Sequence, residues 1–202
     1  HKRFPFLKLQ IQEDVPRKLE AGLDAGGFDM ILTVLPMNTG NNRVRPLFTE
    51  SIHAVFHTDH PLAKKQKLKG RDLHQQAVLS IDETHHLHRQ IVALCEKYGA
   101  YLLRQQEGNT LSSLRLMAMM GMGIAFLPEL FLQAELNQSE SLKSCKLEDE
   151  ELTRTHIAMW RKNASSRHLF QKLSYEIKAI ALEQFGAILV EAQTDENLPE
   201  TW

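Results

Sequence analysis

The sequence predicts an α/β protein of two lobes that are connected by two crossing strands. The first observation is residues 111–120, a run of helix formers with so few polar side chains that most of its circumference must be buried. The second is the pair Gly121 and Gly123, whose permissive backbones end that helix before a short apolar run at residues 124–127. The third is the continuous apolar run of residues 30–35, which is typical of a strand covered on both faces.

The first elements along the chain are a strand, a helix and a second strand. Leu7, Leu9 and Ile11 alternate with polar residues, a period of two that predicts a half-covered strand. Pro16 fits the first turn of a helix, which a glycine pair then ends. Residues 30–35 are predicted to be a central parallel strand that a right-handed crossover connects to the first strand.

The middle of the chain predicts a second series of elements. Residues 47–57 favour an extended stretch, and residues 77–81 favour a new apolar strand. Residues 88–98 then have helical spacing of their apolar side chains and are followed by Gly99, a residue typical of helix ends. Residues 101–105 predict the strand that leads into the apolar helix of residues 111–120.

The last third of the chain returns to the first lobe. Residues 130–136 predict a helix, 137–144 a polar loop and 155–160 a strand. Ser165 or Ser166 can cap a long amphipathic helix, whose inward face is predicted to carry Leu169, Leu173, Ile177, Ile180 and Ala181.

This order of elements predicts the domain boundaries. Residues 1–77 and 151–185 would form subdomain I, and residues 78–150 would form subdomain II. Residues 186–202 are left as a C-terminal tail that becomes acidic.

Composition excludes several classes of protein. Of the 202 residues, 43% are hydrophobic and 24% are charged, as in soluble globular proteins. The net charge of −1 provides no overall attraction to nucleic acid or to a membrane. Two cysteines indicate a reducing, cytoplasmic setting, and no apolar run approaches the roughly 20 residues that span a bilayer.

The predicted ligand site lies where helices begin and buried strands end. Asn109 or Thr110 caps the apolar helix, whose first turn offers N–H groups and a positive dipole end to a polar or anionic ligand. An ordinary cap on a core helix is the simpler alternative. Because ligands of open sheets bind beyond the carboxyl ends of strands, the turns after Leu35 and Ile81 belong to the same prediction, with Val15 and Pro16 facing them.

A histidine cluster raises the question of a metal. His85, His86 and His88 lie close together, but zinc ligands on a helix are usually three or four residues apart. His74 and Cys95 could complete a metal site only through the fold. The alternative is a group of polar side chains near the cleft, and no cofactor is predicted.

Enzyme chemistry has no support in the motifs. The chain has no glycine-rich phosphate loop, no nucleophile elbow and no His/Glu pair in helical register. Acidic pairs such as Glu13-Asp14 and Asp82-Glu83 more often cap helices than transfer protons. The sequence therefore predicts a binding protein.

Several segments in this order resemble the effector-binding domain of LysR-type transcriptional regulators, within their OxyR-like, peroxide-responsive branch. They are Arg3-Phe4-Pro5, Glu13 with Leu19, Leu23 and Gly27-Phe28-Asp29, Pro46-Leu47-Phe48, residues 109–128, and Met159-Trp160-Arg161-Lys162. The resemblance implies two Rossmann-like subdomains with a hinge, a type 2 periplasmic-binding-protein-like fold and a ligand cleft between the lobes. The other reading that this fold allows is a solute-binding protein of a transport system.

The resemblance also implies partners and a set of contact residues. Members form homodimers, and tetramers when full-length, and bind DNA through a winged helix upstream, a domain not in this sequence. A small-molecule effector would shift the packing between protomers. The candidate effector-binding residues are Val15, Pro16, Leu35, Pro36, His85, His86, Asn109, Thr110, Leu111 and Phe126.

The chain departs from the peroxide-sensing pattern at the residues that carry the redox chemistry. Such sensors have a reactive cysteine nine residues before a second one, and here His86 stands nine residues before Cys95. Imidazole cannot form a sulfenic acid or a disulfide, so we expect no intramolecular thiol switch. Pro16 also stands where the family has a threonine that helps bind peroxide. Cys95, next to Ala93 and Leu94, is expected to be a small buried hydrophobe.

Overall fold

The structure of the chain is a computed structural model that describes residues 4–83, 85–103, 110–135 and 141–192. The helices are α1 (Pro16–Asp24), α2 (His86–Tyr98), α3 (Leu111–Met119), α4 (Glu129–Glu135) and α5 (Arg167–Phe185), with short 3-10 turns at Pro61–Lys64 and Gly70–Leu73. The strands are β1 (Met30–Val34), β2 (Asn42–His57), β3 (Ala77–Val78), β4 (Tyr101–Leu102), β5 (Ala125–Pro128), β6 (Leu142–Cys145), β7 (Thr153–Arg161) and β8 (Leu189–Glu191). None of the described helices is both long enough and apolar enough to cross a bilayer.

Strand β2, with 16 residues, is the spine of the molecule. Its first part pairs antiparallel with β7, and this ladder ends at Ser51 opposite Thr153. From Ile52 onward β2 instead pairs antiparallel with β5, and from Ala54 with β6. One continuous strand therefore changes partners in its middle and runs through both parts of the fold.

The predicted pairing of the first sheet is wrong. Strand β1 forms, but it lies at the edge of the sheet order β1-β7-β2-β5 and pairs antiparallel with β7, with Met30 opposite Trp160. It is therefore neither central nor parallel, and 51% of Leu32 is exposed. A continuous apolar run indicates burial but does not identify the neighbouring strand, which lies more than a hundred residues away in the sequence.

The strand predicted around Leu7, Leu9 and Ile11 is also wrong. These residues belong to no strand, and Leu9 and Ile11 are 64% and 84% exposed. Alternation describes a chain that could pair, but a strand needs a partner for its backbone groups. Because no strand forms here, the predicted right-handed crossover from this strand to residues 30–35 is wrong as well.

The middle of the chain contains the parallel pairing of the fold's described strands. Strands β3 and β4 pair in parallel, and Val78 makes a further parallel bridge to Ile124. The predicted helix at residues 88–98 is α2, which begins at His86 and ends at Gly99, whose φ of 68° is left-handed. Part of the loop predicted at residues 137–144 is wrong, because β6 begins at Leu142; residues 136–140 lie outside the described residues.

The buried side chains form one large cluster and two small ones. The first cluster contains Ile52, Phe56, Leu79, Leu114 and Phe126, among others, and packs around β3, β5, α2 and α3. The second cluster lies between the first half of β2, β7 and α5, and a third, smaller cluster lies between α1 and β1. Helix α5 confirms the predicted amphipathic helix, although Leu169, expected to face inward, is 44% exposed.

Candidate functional site

The start of α3 is capped by the side chains of its own first residues, Thr110 and Ser113. Thr110 is the N-cap residue, and its Oγ1 accepts a hydrogen bond of 3.1 Å from the N–H of Ser113. In return Ser113 Oγ accepts a 3.1 Å bond from the N–H of Thr110. This reciprocal box leaves the N–H groups of Leu111 and Ser112, which have no acceptor within the helix, at an exposed helix mouth. Asn109, the other candidate at this point, lies outside the described residues.

The start of α2 is basic and lacks a side-chain cap. His85 is the N-cap residue and makes no capping hydrogen bond with its side chain. One turn on, Arg89 donates to Nδ1 of His86. Burial lowers the pKa of His86, and the charges of Arg89 and His85 lower it further. The first turn of α2 therefore combines a dipole end, a guanidinium group and an imidazole that loses its charge readily.

His88 turns inward, away from its two neighbouring histidines. Its Nδ1 lies 2.9 Å from the carbonyl oxygen of Ile81 and 2.8 Å from Oγ of Ser80, a fully buried side chain. A carbonyl can only accept, so Nδ1 carries the hydrogen, and a neutral His88 ring presents Nε2 as an acceptor. This pair could not be predicted from the sequence, because Ser80 lies within the apolar run of residues 77–81.

The metal alternative finds no support in this arrangement. Among the described residues, no three histidine, cysteine, aspartate or glutamate side chains come together in a way that could hold a metal ion. The Nδ1 atoms of His86 and His88 are each engaged with protein partners. The three histidines therefore do not form a common ligand set here.

The remaining candidate residues occupy separate elements. Val15 is the N-cap residue of α1 and Pro16 its first residue, and Oδ1 of Asp14 accepts a 2.9 Å bond from the N–H of Val15. Leu35 and Pro36 follow β1 and are joined by a cis peptide bond. The described candidates therefore lie at the starts of α1, α2 and α3 and after the end of β1. That they share one ligand site stays a prediction.

Phe126 differs from the other candidates because its side chain is fully buried. It lies on β5 opposite Ala54 and belongs to the first hydrophobic cluster. Contact with a ligand would require this core to open. A role for Phe126 in binding stays a prediction.

Both cysteines are free, and their environments disfavour the thiolate. Cys95 is 4% exposed, and burial, aided by the charge of Glu96, raises its pKa to about 11. Burial likewise raises the pKa of Cys145, against the opposing effect of Lys143. Because the thiolate is the nucleophile, neither sulfur is activated in this structure. A groove of about 380 Å³ lies beside Cys95, between α2 and β4.

The curated proteins that the chain resembles are transcriptional regulators. The DNA-binding transcriptional dual regulator OxyR of Escherichia coli (strain K12) is 27% identical over 192 residues, which cover 95% of this chain and 63% of that protein. A probable hydrogen peroxide-inducible genes activator from Streptomyces viridosporus is 28% identical over 196 residues, covering 96% and 59%. The chain thus spans less than two thirds of the length of these relatives.

Solved structures confirm the predicted fold class. The crystal structure of the oxidized form of OxyR superimposes with a TM-score of 0.80 at 26% identity, covering 92% of this chain and 87% of that one. The reduced form gives 0.79 at 25% identity, covering 92% and 86%. The fold is therefore the mixed α/β, periplasmic-binding-protein-like fold of these regulatory domains.

Family membership follows from the length of the match. The LysR substrate binding domain matches residues 1–179, most of the chain. The segments that carried the resemblance in the sequence, from Arg3 to Lys162, all lie within this match. The chain therefore belongs to the LysR substrate-binding domain family.

Proposed function

We propose that this chain is the effector-sensing domain of a LysR-type transcriptional regulator and that it binds a small polar or anionic ligand between two subdomains. The observation that carries the proposal is the family match over residues 1–179. The subdomains would be residues 1–77 with 151–185 and residues 78–150, with 186–202 as a tail. The exposed helix mouth at Thr110 supports a polar ligand, since its free N–H groups need an acceptor.

The ligand would contact residues from several elements. Thr110 would shape the helix mouth, where Leu111 offers its backbone N–H group. His85 and His86 would add the start of α2, and Val15, Pro16, Leu35 and Pro36 would line the opposite side. Ligand contacts to both subdomains would favour a closed arrangement over an open one. A ligand shifts such an equilibrium only through its difference in affinity for the two states.

Closure would be relayed through oligomer packing to DNA. The Escherichia coli relative is named a DNA-binding transcriptional regulator and is longer than this chain, which supports a DNA-binding domain in the parent protein. We propose a homodimer, a tetramer for the full-length protein, and a cytoplasmic location. The chain would act by binding, without catalysing a reaction.

Sensing in this chain would not use a thiol. Relatives are named hydrogen peroxide-inducible genes activators, yet His86 stands nine residues before Cys95, where the resemblance places the reactive cysteine. The buried Cys95, with a pKa of about 11, supports a packing role. We therefore propose that the effector binds non-covalently.

The test is a thermal-shift screen of the purified chain against a panel of small carboxylates and phosphates. A compound that stabilises the unsubstituted protein should stabilise Thr110→Val much less, because the cap that shapes the helix mouth is lost. Thr58→Val, a change at an exposed threonine after β2, is the matched control and should respond like the unsubstituted chain. Equal stabilisation of Thr110→Val and the unsubstituted chain would contradict the proposed site.

A further inference from the structure

Glu50 is a charged side chain in the interior of the fold. The residue is 1% exposed and lies on β2, two residues after the buried Phe48 and two residues before the buried Ile52. Burying a carboxylate is costly unless its charge and its lone pairs are matched by partners. The partners of Glu50 therefore indicate what the structure gains from this residue.

The two carboxylate oxygens of Glu50 contact different elements. Oε1 accepts hydrogen bonds from Nε of Arg154 at 2.7 Å and from Nε2 of His156 at 2.6 Å, both on β7. Oε2 accepts a 2.8 Å bond from the backbone N–H of Leu130 in the first turn of α4. Burial alone would raise the pKa of Glu50, but the His156 hydrogen bond, the Arg154 charge and the Leu130 N–H lower it overall. The ionised carboxylate thus joins β2, β7 and α4.

These contacts lie where the spine strand changes partners. The β2–β7 ladder ends at Ser51 opposite Thr153, and the β2–β5 ladder begins at Ile52. Just before this point the hydroxyls of Thr49 and Thr155 are 2.8 Å apart across the two strands. A band of polar contacts therefore crosses β2 at the point where its ladder with β7 ends and its ladder with β5 begins.

The same point separates two hydrophobic clusters. On β2, Phe48 belongs to the cluster under α5, while Ile52 belongs to the cluster under α2 and α3. Helix α4 shows the same division, because Leu130 packs against the former and Leu132 lies in the latter. The side chains within each cluster interdigitate and therefore resist sliding. We expect the fold to bend in the band of polar contacts between the two clusters.

We propose that Glu50 is a hinge clamp: its carboxylate fixes the angle between the two hydrophobic clusters by tying β7 to α4 across the partner change in β2. Without the clamp, the two cores would keep their internal packing but would adopt a wider range of relative orientations. The inference rests on the two-subdomain interpretation of the proposed function. It does not depend on where an effector binds.

The chain contains a matched control for a partnered carboxylate. Glu150 accepts hydrogen bonds from Lys97 and from the hydroxyl of Tyr98, whose ring packs against the first cluster. Glu50→Gln and Glu150→Gln each replace a cation-bonded carboxylate by a neutral amide of the same shape. Only the first replacement acts between the two clusters.

The test is a distance measurement by pulsed electron spin resonance. Spin labels are placed at Met120→Cys and Ala179→Cys, two exposed positions on opposite clusters, in a Cys145→Ser background and diluted with unlabelled protein. The unsubstituted chain and Glu150→Gln should give the same narrow distance distribution. Glu50→Gln should give a shifted distribution or a second population.

A second variant keeps the test decisive. His156→Gln leaves the Glu50 charge in place and changes one of its donors, so it should broaden the distribution less than Glu50→Gln. If Glu50→Gln does not give native circular dichroism, the His156→Gln distribution decides instead. A folded variant whose distribution superimposes on that of the unsubstituted chain would overturn the hinge clamp, whether or not any effector has been found.

Discussion

The starts of α2 and α3 differ in a way that bears on ligand binding. At α3, Thr110 and Ser113 satisfy each other at an exposed helix start. At α2, His85 provides no cap, and Arg89 contacts His86. If both helix starts contact the proposed ligand, the first would select by hydrogen-bond geometry, whereas the second would select by charge and depend on pH.

The largest expected effect concerns the core beneath α3. Phe126→Ala should lower the free energy of unfolding by about 3–5 kcal/mol, because it leaves a cavity in a packed interior. Chemical denaturation measures the change. Leu116→Ala, at a residue of α3 that is 44% exposed, is the control and should cost far less. If Phe126→Ala kept full stability but lost ligand binding, Phe126 would be a ligand contact. The distinction between a buried core residue and the exposed start of α3 would then be wrong.

Removing each cap residue compares the two helix starts directly. Thr110→Ala should destabilise the fold by about 1 kcal/mol, since the Ser113 N–H loses its acceptor. His85→Ala should change stability by only a small fraction of this, because its side chain makes no capping bond. Paired urea denaturation curves give both values. Equal losses of unfolding free energy in Thr110→Ala and His85→Ala would contradict the structure, in which only Thr110 makes a capping hydrogen bond.

The smallest expected effect is a pH dependence at α2. The folded-state pKa of His86 is lowered, so the unfolded chain binds the proton more readily. The stability that neutral His86 contributes is present above its ordinary pKa of 6.5 and is lost as pH falls below it. The thermal midpoint should therefore decline from pH 7.5 to pH 5.5, and His86→Asn should reduce the decline.

Part of the decline should persist in His86→Asn, because burial also lowers the pKa values of His53 and His60. Thr110→Ala is the control at the other helix start and should leave the shape of the pH profile unchanged. An unaltered profile in His86→Asn would mean that His86 does not titrate differently in the folded and unfolded states.

The elements defined by local chemistry were predictable. Helix α3, the cap at Thr110, the glycine turn at Gly121 and strand β5 follow from neighbouring residues, and the structure confirms them. The strand around Leu9 was not predictable in the same way, because pairing depends on a partner that local alternation does not reveal.

The polar contacts of the interior could not be predicted from the sequence for a related reason. Glu50 and His156 are 106 residues apart, and only the register of β2 against β7 brings them together. The sequence shows a glutamate within the extended run, but it does not identify the partners of that glutamate. The order of elements predicted two lobes, and the resemblance to LysR-type regulators added the periplasmic-binding-protein-like fold and the cleft between the lobes.

The most direct test of non-covalent sensing is the intact mass of the chain after treatment with hydrogen peroxide, recorded without reductant. The account predicts no internal disulfide, because Cys95 is buried with a pKa of about 11 and Cys145 is also held as a thiol. Peptide mapping should return both cysteines as free thiols. A Cys95–Cys145 bridge that forms readily and reverses with dithiothreitol would contradict the account.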